Sequence, residues 1–161
     1  MTPFPNPLPE VRAALEESRA HLNRILDQVG DRWATQVYSD GAQWNVGQIV
    51  THLAISEGGM FKTAQGIAAG SEGVPADFDI DRYNRRSVEK RADTPPESAR
   101  EELAAIRAEL LAWAGTLTDE QWAAKGRHAT LNVYSVRQFL KIMAIHEKQH
   151  ADDIAAALGI T

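Results

Sequence analysis

Cysteine is absent from all 161 residues. That excludes disulfides, thiolate metal sites and a cysteine nucleophile; a metal would have to be held by His, Asp or Glu, and any thiol chemistry would use a thiol arriving as a ligand. No uncharged apolar run approaches the ~18 residues needed to cross a bilayer. The opening "MTPFPNPLPE" lacks a cationic stretch followed by an apolar one, so it reads as an extended arm over residues 1–9 and not as a secretion signal. The expected compartment is the cytoplasm. Basic surplus is missing too: 17 Lys and Arg stand against 22 Asp and Glu, for a net charge of -5. Nucleic acid and membrane are therefore not expected partners, since phosphates are met by cationic surplus. A small molecule is.

What is present is an ordinary globular balance, 43% hydrophobic and 24% charged, in a length that suits one domain over 1–161. No alternating strand pattern stands out. Instead, apolar residues recur at spacings of three and four in four long segments, the mark of amphipathic helices. The first runs from Leu8 to Val29 and carries Leu15, Leu22, Ile25 and Leu26. The second opens at Asn45, with Gln48 completing a capping-box pattern, and reaches about Ala69. A shorter helix is expected from Asp81 to Arg91. Thr94 is read as the cap of the third long helix, with Leu103, Ile106, Leu110, Trp113 and Leu117 on its inner stripe. The last begins at Ser135, with Gln138 as its capping-box partner. The spacing predicts an all-α four-helix bundle with long loops between helices two and three and between three and four.

Near the end, "AIHEKQHADDI" holds an H-E-x-x-H pattern, His146 to His150. Histidines at i and i+4 share a helical face with Cβ atoms roughly 6 Å apart, and both continue the stripe Val136, Phe139, Met143, Ile154. The starts of two helices resemble each other, "WNVGQ" and "YSVRQ"; counted from the caps, His52 lies at +7 and His146 and His150 at +11 and +15. Offsets differing by one turn put the three on matching stripes. A single inward histidine is usually a hydrogen-bonded core residue, but three that converge suit a divalent metal. A protease is disfavoured: eleven residues follow His150, too few for the third ligand that zinc proteases draw from downstream, and Glu147 diverges about a hundred degrees from His146 around the helix. Glu147 is expected either to reach a metal-bound water or to pair with a nearby Lys or Arg in solvent. His21 is placed at the surface or a boundary, and His128 in a polar loop, with solvent as the expected environment and a substrate-facing role as the alternative. Asp153 is a candidate to orient a ligand imidazole. Asn84, Arg85 and Arg86 are candidates for contacting anionic groups of a substrate or cofactor.

"QWNVGQIVTHLAISE" and, some ninety residues on, "YSVRQFLKIMAIHEKQHADDI" resemble the DinB/YfiT superfamily of metal-binding four-helix bundles. The resemblance extends through "FDIDRYNRRSVEKR" and "LTDEQW" to nearly the whole chain. It implies one divalent metal on His52, His146 and His150, and a homodimer. The superfamily includes mycothiol-dependent maleylpyruvate isomerase and bacillithiol transferases, in which the metal activates a low-molecular-weight thiol. In the maleylpyruvate isomerase branch Glu commonly stands where this chain has His146. The resemblance thus implies a metal-dependent enzyme, either an S-transferase using a thiol co-substrate or a hydrolase using water. The alternative is a non-catalytic metal-binding stress-response protein. Imidazole ligands suit Zn²⁺ first and also Ni or Fe.

Overall fold

The computed structural model describes residues 5–39 and 41–161. In chain order the elements are α1 (Leu8–Leu26), β1 (Gln36–Ser39), β2 (Ala42–Asn45), α2 (Val46–Ala68), α3 (Ile80–Lys90), α4 (Pro96–Ala114), α5 (Asp119–Ala123), β3 (Lys125–Arg127), β4 (Val133–Ser135) and α6 (Val136–Leu158). The long helices α1, α2, α4 and α6 make the four-helix bundle expected from the spacing.

Both capping boxes close as read. The Asn45 side chain accepts from the Gln48 N–H at 2.8 Å while Gln48 Oε1 accepts from the Asn45 N–H at 2.9 Å; Ser135 and Gln138 repeat this at 3.1 and 2.8 Å. A third box, Thr118 with Gln121, starts α5. Each bond satisfies a first-turn donor that the helix itself leaves unpaired.

Three expectations are corrected. The arm does not reach residue 9, because Asn6 Oδ1 accepts the Leu8 N–H and Pro9 fits the first turn, so α1 begins at Leu8. Thr94 does not cap α4; Pro95 occupies that position with no side-chain bond. Two antiparallel hairpins exist where no strands were expected: β1 pairs with β2 (Val37 with Trp44, Ser39 with Ala42) and β3 with β4 (Gly126 with Tyr134). The repeated "WNVGQ" and "YSVRQ" are the last residues of β2 and β4 running straight into α2 and α6.

The long loops are built, not loose. The first carries α3; the second carries α5 and the β3–β4 hairpin, and the two are stitched together. The Val74 N–H donates to Arg127 O at 3.0 Å, the Arg127 N–H to Glu72 O at 2.7 Å, and Arg127 Nη1 to Val74 O at 2.9 Å. Gly73 sits inside this stitch at φ 93°, where a Cβ would stand 2.3 Å from Arg127 O, so only glycine fits.

The apolar interior falls into two clusters. One gathers Leu22, Ile25, Val46, Ile49, Leu53, Leu103, Ala151 and Ile154; the other gathers Val11, Leu15, Phe61, Leu110, Val136, Phe139, Leu140 and Met143. Along each long helix one charged residue lies between them: Arg19, Glu57, Arg107 and Glu147. Since α2 starts in the first cluster and α6 in the second, these two helices run antiparallel.

Candidate metal centre

His52 comes from α2, and His146 and His150 from α6. His150 is fully buried and His52 nearly so. Nε2 of His146 lies 3.3 Å from Nε2 of His52 and 3.0 Å from Nε2 of His150. Zn–N bonds of ~2.0–2.1 Å set neighbouring ligand nitrogens about 3.3 Å apart at tetrahedral angles and about 3 Å apart at right angles. These two spacings suit a divalent ion, and all three donor nitrogens lie within 4.8 Å of one another. Among the described residues, this is the group of three or more His, Asp and Glu whose donor atoms converge closely enough to hold one.

Burial keeps the His52 and His150 rings neutral. Removal from water, aided by the neighbouring His146 and His150, pushes the His52 pKa down to about 2, and burial pushes His150 down to about 4. The tautomer of His150 follows from counting protons. Ser39 Oγ donates its only hydrogen to Asp153 Oδ2 at 2.5 Å, and the same Oγ lies 2.7 Å from Nδ1 of His150. The hydroxyl must then accept there, so Nδ1 carries the proton and Nε2 presents a lone pair to the cluster. Asp153 thus reaches the His150 imidazole, but through Ser39. The His52 ring packs against Trp44, centroids 4.7 Å apart, with Ser56 Oγ 3.3 Å from Nδ1.

Beside the cluster opens a cavity of about 330 Å³ that His146 and Ser56 line on one side. Its remaining wall is largely apolar, with Phe78, Phe139 and Ile142 among the lining residues, and among the described residues no Lys, Arg, Asp or Glu lines it. Asn84 faces this cavity, whereas Arg85 and Arg86 are exposed and are not among its lining residues. His128 departs from the expected solvent environment: it is buried and lines the cavity, its ring set against Phe139 of α6 while the hairpin tip at Leu131 stays exposed. His21 is at the boundary as read, 2.7 Å from Asp152 Oδ1.

Glu147 is not solvated. Its Oε1 accepts from Arg19 Nε at 2.8 Å, and its Oε2 from Arg107 Nη2 at 2.7 Å and Arg19 Nη2 at 3.3 Å. Glu57 completes the set, bonded to Arg107 and to Arg19 Nη2 at 3.0 Å. Both carboxylate oxygens of Glu147 are committed to guanidinium groups on the far side of the helix from the cavity-lining His146. The sequence reading missed Ser39, Arg19, Glu57 and Arg107. The last three had a signal: each stands at helical spacing inside an apolar stripe, as Glu147 does, and the four together make two charges of either sign.

The family model for the DinB superfamily matches residues 7–154. A protein of Oceanobacillus iheyensis named as a candidate metal-dependent hydrolase is 24% identical over 154 residues, 93% of this chain and 86% of that one. YfiT of Bacillus subtilis, described as a candidate metal-dependent hydrolase of unusual four-helix bundle topology, superposes with a TM-score of 0.73 at 21% identity, covering 99% of this chain and 92% of that one. The mycothiol-dependent maleylpyruvate isomerase superposes at 0.76 with 16% identity over 96% of this chain, but only 63% of that longer one. The colibactin self-resistance protein ClbS, solved with a dsDNA, gives 0.76 at 15% identity over 99% of both. These similarities show a shared fold.

Proposed function

The chain belongs to the DinB superfamily, and we propose that within it the protein is a metal-dependent enzyme, a hydrolase or thiol S-transferase acting on a small molecule bound beside His52, His146 and His150. The observation that carries this reading is the cluster of three imidazoles, His146 Nε2 lying 3.3 Å from His52 Nε2 and 3.0 Å from His150 Nε2 and all three donors within 4.8 Å of one another, with His146 forming part of a cavity wall. Three protein ligands leave positions open on an ion that prefers four or more, the arrangement of a catalytic rather than a structural site. When bound, a divalent ion supplies Lewis-acid activation of a water or thiol nucleophile near neutral pH.

The chain's own residues do the rest. Ser39 and Asp153 hold His150 in the tautomer that offers Nε2. Burial keeps His52 and His150 uncharged and ready to ligate. The apolar wall excludes bulk water around a bound molecule and favours one with a mainly apolar frame. With no cysteine in the protein, a thiol nucleophile would enter as co-substrate; of the two nucleophiles, water needs no such second molecule. The net charge of -5 and the cavity favour a small-molecule partner over nucleic acid.

The test is metal content followed by spectroscopy. Wild-type protein is expected to purify with about one divalent ion per chain, and His52→Ala, His146→Ala and His150→Ala each to lose most of it. In cobalt-substituted protein, a change in the visible spectrum on adding free cysteine supports the thiol reading. An unchanged spectrum with ester hydrolysis retained supports water. Wild-type metal content in the triple alanine variant overturns the site.

A further inference from the structure

The proposed metal site explains one end of the cavity and leaves a buried histidine at another. His128 is 5% exposed, on the turn between β3 and β4. The Thr130 N–H donates to its Nδ1 at 3.2 Å, and the Thr130 hydroxyl lies 3.0 Å from the same nitrogen. A nitrogen that accepts from a backbone N–H has no proton of its own, so the neutral ring carries its proton on Nε2. Burial lowers the His128 pKa and so favours the neutral ring. Among the described residues Nε2 finds only a thioether, Met60 Sδ at 3.4 Å, a weak acceptor from another residue of the cavity lining. The ring is held edge-on to Phe139 and Tyr134, centroids 5.1 and 5.6 Å away, so its direction is fixed.

We propose that His128 is a substrate-positioning donor: its Nε2–H takes the place of the Met60 contact with a bond to a carbonyl or ether oxygen of a mainly apolar molecule in the cavity. This rests on the cavity of the proposed site, but not on any metal being present. The volume of about 330 Å³ lies in the range of small-molecule sites. The other polar groups of the lining, among them Ser56, Thr63, Asn84 and Gln149, are neutral. Such a site recognises an acceptor on an apolar frame.

Two isosteric probes test it, acetophenone with a carbonyl and α-methylstyrene without one. Binding is followed by NMR on ¹⁵N-histidine protein through the His128 ring nitrogens and the Met60 methyl, in metal-free and zinc-loaded samples. Acetophenone should bind about three- to tenfold more tightly, the ordinary gain of one buried neutral hydrogen bond. The preference should vanish in His128→Phe and persist in His128→Gln, whose amide keeps a donor. The wild-type spectrum should show Nε2 protonated, a readout independent of how the variants fold. A preference present in both samples upholds His128 even if the metal chemistry fails. Equal or absent binding of the two probes, a preference seen only with zinc, or a proton on Nδ1 overturns the proposal.

Discussion

Replacing Glu147 by Gln separates a bundle-stapling role from a catalytic one. Arg19, Glu57, Arg107 and Glu147 form a neutral quartet, their side chains 14%, 5%, 7% and 4% exposed. Burial alone would lower the Arg19 pKa, yet the bonds and charges of Glu147 and Glu57 raise it on balance. Glutamine at 147 keeps the shape but leaves one unit of positive charge uncompensated, and turns amide hydrogens toward guanidinium hydrogens. Breaking a buried pair by removing one partner costs about 3–5 kcal/mol. Arg19 retains some solvent, which favours the lower end. Against a total stability of ~5–15 kcal/mol this is a large fraction, and at ~2–4 °C per kcal/mol for a chain of this size the midpoint should fall by about 6–12 °C. Circular dichroism melts of metal-free wild type and Glu147→Gln give the number. Arg107→Gln with Glu147→Gln restores neutrality and should recover part of the loss, a coupling that a double-mutant cycle isolates. Metal content should stay at the wild-type level. A midpoint within about 1 °C of wild type refutes the stapling role. Robust wild-type peptidase activity that disappears in Glu147→Gln would restore the protease reading of "HEKQH".

Other outcomes follow from the same geometry. Ser39→Ala removes the hydroxyl that fixes the His150 tautomer and should weaken metal affinity about 10–100-fold, with the melt of the metal-free protein little changed; competition against a chelator measures it. Because the folded His150 pKa is depressed from 6.5 to about 4, the unfolded chain binds more protons in that window. The metal-free protein should therefore keep its full contribution above pH ~6.5 and lose roughly 3 kcal/mol as pH falls through 4; equal urea midpoints at pH 7.5 and 4.5 would contradict this. Gly73→Ala should loosen the stitch between the two long loops and speed amide exchange at Val74 and Arg127. Unchanged exchange there would show that the stitch tolerates a Cβ.

How far the sequence carried depended on the kind of interaction. The long helices and two capping boxes were legible because each is a local pattern of three or four residues. The hairpins were not, because strands of three and four residues are too short to show alternation, although Asp40-Gly41 between Ser39 and Ala42 is a turn signal. The histidines were brought together as read, but matching offsets were not the whole reason. In antiparallel helices of 23 residues, position 7 of α2 lies opposite about position 17 of α6, near His150 at position 15. Ser39 was invisible because its partner is 111 residues away, and His128 was misplaced because a polar loop gives no local hint that a fold covers it.

The bond between Ser39 and His150 also bears on the order in which this protein becomes competent to hold an ion. A peptide spanning α6 alone offers His146 and His150 at the right spacing but leaves each imidazole free to exchange tautomers. The ring acquires its fixed proton only when the β1–β2 hairpin docks against α6, which closes most of the chain into a loop. Such long-range closure is entropically expensive and rate-limiting in folding generally. Ion uptake at the proposed centre of a refolding chain should accordingly lag behind helix formation and track docking of the hairpin.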